Sequence, residues 1–145
     1  DRVDVHEQTN VRHTDPTNFG GPGDLVVTDL SFISLRVVAS RLVAFAADGA
    51  DLVILVKPQF EAGKAEADKA RGVIRDPEVW RGTLDDATTA LSAAGAAIMG
   101  VMVSPITGGD GNVEFLVHAR AGAPDVDPVS WAQWRNAAVA AGEGG

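Results

Sequence analysis

The chain has 145 residues, a formal net charge of −8 and no cysteine. One domain with one core is the expectation at that length, and the acidic balance argues against tight nucleic-acid binding by this segment alone, since phosphates are neutralised by Lys and Arg. The missing cysteine excludes disulfides, thiolate metal sites and a thiol nucleophile; no run approaches the roughly 18 apolar residues of a membrane span, and Asp1-Arg2-Val3 does not open like a signal peptide, so a cytoplasmic protein without a membrane partner is expected.

Residues 2–8 alternate Val3 and Val5 with Asp4 and His6, which predicts a short first strand. A connection rich in Asn, Thr, Asp, Pro and Gly follows up to Gly23, and Asp24-Leu25-Val26-Val27-Thr28 reads as a second strand ending on Asp29. Ser34 is the expected N-cap of a helix over residues 35–47, because Val38, Leu42, Phe45 and Ala46 recur at helical spacing and Gly49 lies just beyond. Then Leu52-Val53-Ile54-Leu55-Val56 forms an unbroken apolar run, the mark of a strand buried on both faces in a parallel sheet. Pro58 cannot donate to a ladder, so pairing stops there. Lys57 is thereby placed at the carboxyl edge of the sheet, where open α/β sheets bind ligands.

Residues 61–75 are polar and mixed in charge and read as a long loop. Asp76-Pro77-Glu78 is a strong helix start, with a cap, a proline at the first helical position and an early acid. That helix should run to about residue 94 and stop at Gly95. Residues 96–103 make another apolar strand, and 113–119 a half-exposed one paired antiparallel with it. The tail carries a short helix with Trp131 and Trp134 on one face, and residues 142–145 should fray. This order is that of an α/β doubly wound sheet with an antiparallel edge hairpin.

Three ionisable residues stand at strand-linked positions: Asp29, Lys57 and Glu114. Polar strand ends are common, so one such residue means little; the coincidence of three points to a site. The blocks that contain them carry a resemblance. Val27-Thr28-Asp29-Leu30-Ser31-Phe32-Ile33-Ser34-Leu35, Leu55-Val56-Lys57-Pro58-Gln59-Phe60-Glu61, Arg71-Gly72-Val73-Ile74-Arg75-Asp76-Pro77 and Gly111-Asn112-Val113-Glu114-Phe115-Leu116 resemble successive blocks of the TlyA family. Its members are known as haemolysins and as ribosomal-RNA cytidine 2′-O-methyltransferases, with an FtsJ-like domain that uses S-adenosylmethionine behind a small N-terminal RNA-binding domain.

The resemblance spans residues 1–120, leaving 121–145 as a C-terminal tail, and it implies an incomplete Rossmann-like methyltransferase domain. It implies that Lys57, Asp29 and Glu114 are the last three members of the family's lysine-aspartate-lysine-glutamate catalytic set. Asn10, Val11, Asp29 and Leu30 are the implied S-adenosylmethionine contacts, and ribosomal RNA or ribosomal subunits the implied partner. The family's first lysine, glycine-rich cofactor loop, ribose-holding acid and RNA-binding domain lie upstream in the family and have no counterpart here. The resemblance therefore implies a fragment with a bared apolar parallel edge, weak cofactor binding and poor solubility.

Methyl transfer to a ribose hydroxyl needs in-line approach and help with a weakly acidic proton, which Lys57 supplies only when neutral. Other readings are weaker. Lys64, Lys69, Arg71 and Arg75 could touch phosphates, but interleaved acids make a solvated loop the better reading. Gly108-Gly109-Asp110-Gly111-Asn112 lacks the ending of a phosphate loop and the regular acids of a calcium loop, so a flexible turn is expected. His6, His13 and His118 lack metal-ligand spacing, and Ser31 and Ser34 lack a nucleophile elbow. A membrane-acting haemolysin would need a span or a basic amphipathic helix, which the sequence does not offer. A non-catalytic docking piece is the remaining alternative.

Overall fold

The computed structural model describes residues 2–63, 66, 68 and 70–144. Four strands form one sheet in the order β1-β2-β4-β3: β1 (Gly23–Thr28), β2 (Ala46–Val56), β3 (Ala96–Val103) and β4 (Phe115–Ala121). β1 runs parallel to β2, whereas β4 is antiparallel to both β2 and β3. Thus β3 and β4 make the expected hairpin, with β3 at the edge and β4 inside the sheet. The longer helices are α1 (Leu35–Ala44), α3 (Pro77–Ala93) and α4 (Pro128–Glu143), and a four-residue turn of helix, α2 (Pro58–Glu61), follows β2 directly.

Local chemistry sets the helix starts. The side chains of Ser34, Asp76 and Asp127 accept backbone N–H groups of Arg36, Glu78 and Val129 respectively, and proline occupies the first turn of α3 and α4. The helices then bury one stripe each: Val38 and Leu42 of α1, Leu84 and Leu91 of α3, and Val139 of α4 meet Leu52, Ile54 and Val56 of β2 and Phe115 and Val117 of β4 in one core. The alternate residues of the same strands tell the opposite story. Leu25 and Val27 of β1 and Met102 of β3 are exposed, and Val53, Leu55 and Leu116 are only half-buried. The run 52–56, expected to be buried on both faces, is thus fully buried on one face only, with no described helix covering the other. The described helices therefore form a single layer on one face of the sheet.

Other expectations about the elements need correction. Residues 2–8 form no strand, and Val3 and Val5 are exposed; alternation cannot hold a strand whose backbone groups find no neighbouring ladder. The helix expected over 35–47 stops at Ala44 because Ala46 already belongs to β2. Gly49, at φ +78, lies inside that strand, where β1 advances from Gly23 to Leu25 while β2 advances from Ala46 to Asp51. The loop expected from residue 61 is preceded by helical turn α2 and holds helical residues at 66 and 68. Finally, α4 is a 16-residue helix, and Gly142 is buried within it rather than frayed. A Cβ on Gly142 would stand 3.0 Å from Val113 and 3.4 Å from Trp80, a tight fit that the neighbours could meet only by shifting a few tenths of an ångström. Trp131 packs against the core and donates its indole N–H to Asp85 at 2.9 Å. Gly145 lies outside the described residues, and among those described no helix is long and apolar enough to cross a membrane.

Candidate active site

β1 and β2 are parallel neighbours, so their carboxyl ends emerge side by side. β2 ends at Val56, and Lys57 becomes the N-cap residue of α2 in an extended conformation. Its ammonium nitrogen lies 2.5 Å from Asp29 Oδ1, one residue past the end of β1, and donates to Ser31 Oγ at 3.4 Å. The two side chains differ in solvent contact: that of Lys57 is 12% exposed and that of Asp29 67%. Their pairing is therefore partly screened by water and contributes modestly to stability. Its value is positional.

Glu114 stands immediately before β4 and is 6% exposed. Its Oε1 accepts the amide N–H of Gln59 at 2.9 Å. Gly108 lies directly over the carboxylate, where a Cβ would come within 2.2 Å of Oε1; any side chain there would displace the acid. Among the described residues the ion pair of Lys57 is with Asp29, and Glu114 is held by Gln59. All four residues line one open crevice of about 780 Å³ whose floor includes Leu55 and Leu116, on the helix-free side of the sheet.

Two braces hold the walls. Glu61, buried at the end of α2, accepts Ser34 Oγ at 2.7 Å and Leu35 N at 2.8 Å, tying α2 to the start of α1. Burial pushes its carboxyl above the usual carboxylate range, against the pull of those two hydrogen bonds. Asn112, also buried, accepts Ile74 N at 3.1 Å and donates to Gly72 O at 2.9 Å. The Gly-rich segment expected to be a flexible turn is thus a clamped 3₁₀ turn (Gly109–Gly111), with Asp110 at φ +58.

The residues implied as cofactor contacts gather beside this crevice. The Asn10 side chain caps a 3₁₀ turn (Val11–His13) by accepting Arg12 N at 3.0 Å. Asn10, Val11 and Leu30 line one hollow, and Val11, Asp29 and Leu30 line the next, against β1. Phe32, which sequence reasoning did not single out as a site residue, divides that side from the Lys57 crevice. It is 89% exposed, holds φ +62, and its ring centroid lies 4.8 Å from that of Phe60. A phenylalanine both solvated and left-handed is doubly unfavourable, and such strain collects at functional positions. No sequence signal announces it, because both properties arise from tertiary structure.

The remaining candidates lie elsewhere. His118 and Arg120 of β4 both reach Asp51 Oδ1, at 2.8 and 2.9 Å, and these hydrogen bonds hold the Asp51 carboxyl below its usual range. His6 pairs with Asp4. Arg71 and Arg75 are exposed, while Lys64 and Lys69 lie outside the described residues. No group of three or more potential metal ligands occurs among the described residues.

A mixed α/β sheet with a charged crevice at the carboxyl ends of parallel strands defines a Rossmann-like ligand-binding domain of the methyltransferase kind. Residues 1–121 match the FtsJ-like methyltransferase family, and the chain belongs to it. It is 44% identical over 119 residues to the 16S/23S rRNA (cytidine-2′-O)-methyltransferase TlyA of Mycobacterium tuberculosis, covering 82% of this chain and 44% of that protein. It is likewise 44% identical to YqxC of Bacillus subtilis, a protein assigned as an rRNA methyltransferase, over 81% of this chain and 42% of the relative. A solved structure described as a hemolysin from Streptococcus thermophilus superposes with a TM-score of 0.88 at 34% identity, covering 99% of this chain and 51% of that one. The chain thus spans less than half the length of the curated relatives it matches here.

Proposed function

We propose that this chain carries the catalytic crevice of an enzyme that methylates the 2′-hydroxyl of a ribose in ribosomal RNA, using S-adenosylmethionine. The observation that carries the reading is the contact of Lys57 with Asp29 at the carboxyl edge, in the crevice that also holds Glu114. Bound S-adenosylmethionine would supply an electrophilic methyl group. The apolar walls of Val11 and Leu30, with the polar Asn10 at their end, fit one side of an adenine ring. Asp29 stands between those hollows and Lys57, so a cofactor lying along Leu30 reaches the lysine.

In this reading Lys57 holds the ribose hydroxyl and, as the free amine, accepts its proton while the oxygen gains the methyl group. Asp29 fixes the lysine, whose side chain would otherwise sample many rotamers. Phe32, backed by Phe60, offers a flat apolar face at the crevice rim on which a nucleobase can stack. A net charge of −8 leaves few cations for phosphates, so the RNA backbone is assigned to a basic surface outside these residues. The experiment is to incubate the full-length protein with ribosomal subunits and radiolabelled S-adenosylmethionine, then map the product by its resistance to alkaline cleavage. Label at a ribose 2′-oxygen supports the reading; label on a base, or none, refutes it.

A further inference from the structure

The turn that follows Lys57 does more than end a strand. Gln59 projects from it toward Glu114, giving its amide N–H to Oε1 at 2.9 Å, while Lys57 reaches the other way to Asp29. An ionised carboxylate only accepts, so the amide has one permitted orientation: nitrogen toward Glu114, oxygen away. That oxygen is sealed from solvent and meets no donor among the described residues. Leaving a buried carbonyl unpaired is destabilising, and a smaller or apolar residue at 59 would avoid the loss. Such locally unfavourable arrangements concentrate where function requires them.

We infer that Gln59 is a positioning residue: it holds the Glu114 carboxylate at the crevice and couples it, through the single intervening residue Pro58, to Lys57. Glu114 is therefore placed by an amide rather than by the lysine, and the amide is fixed by the same turn that aims the lysine. Gly108 leaves room for the same oxygen, since a Cβ there would come within 2.2 Å of Oε1. This inference rests on the proposed methyl-transfer reading for its kinetic consequence, though not for its structural one.

The test compares Gln59→Met, which keeps the length and loses the donor, with Gln59→Lys, which retains a donor of similar reach, in the full-length protein. Crystal structures should show the Glu114 carboxylate displaced in the methionine variant and retained in the lysine variant. With ribosomal subunits as substrate, Gln59→Met should lower kcat about tenfold with KM unchanged, and Gln59→Lys should recover most of it. In a Glu114→Ala background, which removes the acceptor, Gln59→Met should have no further effect on kcat. A carboxylate that stays in place in Gln59→Met, or kcat losses that multiply across the pair, would overturn the inference. If the wild-type protein transfers no methyl group, the proposed function falls, and the two variant structures still decide the role of Gln59.

Discussion

The two faces of the sheet are built to different ends. On one, Leu52, Ile54, Val56, Phe115 and Val117 have no measurable exposure and lock against three helices. On the other, Leu25, Val27 and Met102 are exposed, and the half-buried Leu55 and Leu116 floor the crevice that holds Lys57, Gln59 and Glu114. Stability and site are thus divided between alternate residues of the same strands. A strand buried by an alternating pattern can serve a core with one set of side chains and a ligand with the other.

The contrast yields graded predictions. Phe115→Ala, on the packed face, removes a fully buried ring in contact with Trp80 and should cost about 3–5 kcal/mol in urea unfolding. By contrast, Val27→Thr, at a side chain 68% exposed on the other face, should change stability by less than about 0.5 kcal/mol. Equal losses would mean the open face is packed in solution. Phe32→Ala should weaken RNA substrate binding by about 1–3 kcal/mol, read as KM, and leave the unfolding midpoint nearly unchanged, since the ring is 89% exposed and alanine keeps the Cβ that strains the backbone there. Unaltered KM would remove Phe32 from the site.

The smallest effect is in pH. Glu61 has a raised folded pKa, so its contribution is fully present below the unfolded carboxylate value and is lost as pH rises through the folded one. Asp51, on the open face, is lowered by His118 and Arg120, so its contribution is present above the unfolded value and is lost as pH falls through the folded one. Urea midpoints of Glu61→Gln relative to wild type should therefore improve from about pH 4 to about pH 7, and those of Asp51→Asn relative to wild type should worsen as the pH rises from about 2 to about 4. Parallel profiles would contradict the assignment of opposite environments.

Much of this layout was legible from residue order. The run from Leu52 to Val56 stopped by Lys57-Pro58, the Asp76-Pro77 helix start and the apolar β3 emerge where periodicity and caps place them, although the 52–56 run is fully buried on one face and not on both. Asp127-Pro128 is the same helix-start signal and could have announced the full length of α4. Residues 2–8 misled because alternation reports a capacity to pair, not the presence of a partner. The early start of β2 was hidden because Ala46-Ala47-Asp48-Gly49 combines residues of weak strand preference with a turn dipeptide. At the site, Asp29 and Lys57 followed from strand ends, whereas the Gln59–Glu114 bond and the exposure of Phe32 join distant segments and leave no periodic trace.

The most direct measurement is single-turnover methyl transfer to ribosomal subunits by the full-length protein carrying Lys57→Met, beside the wild type at equal saturation with S-adenosylmethionine. Loss of roughly 10²–10⁴-fold in rate with an unchanged unfolding midpoint is the result expected of a proton-accepting lysine. A variant that transfers methyl groups within a factor of two of wild type, while folded, would contradict the central claim that this amine acts on the ribose hydroxyl.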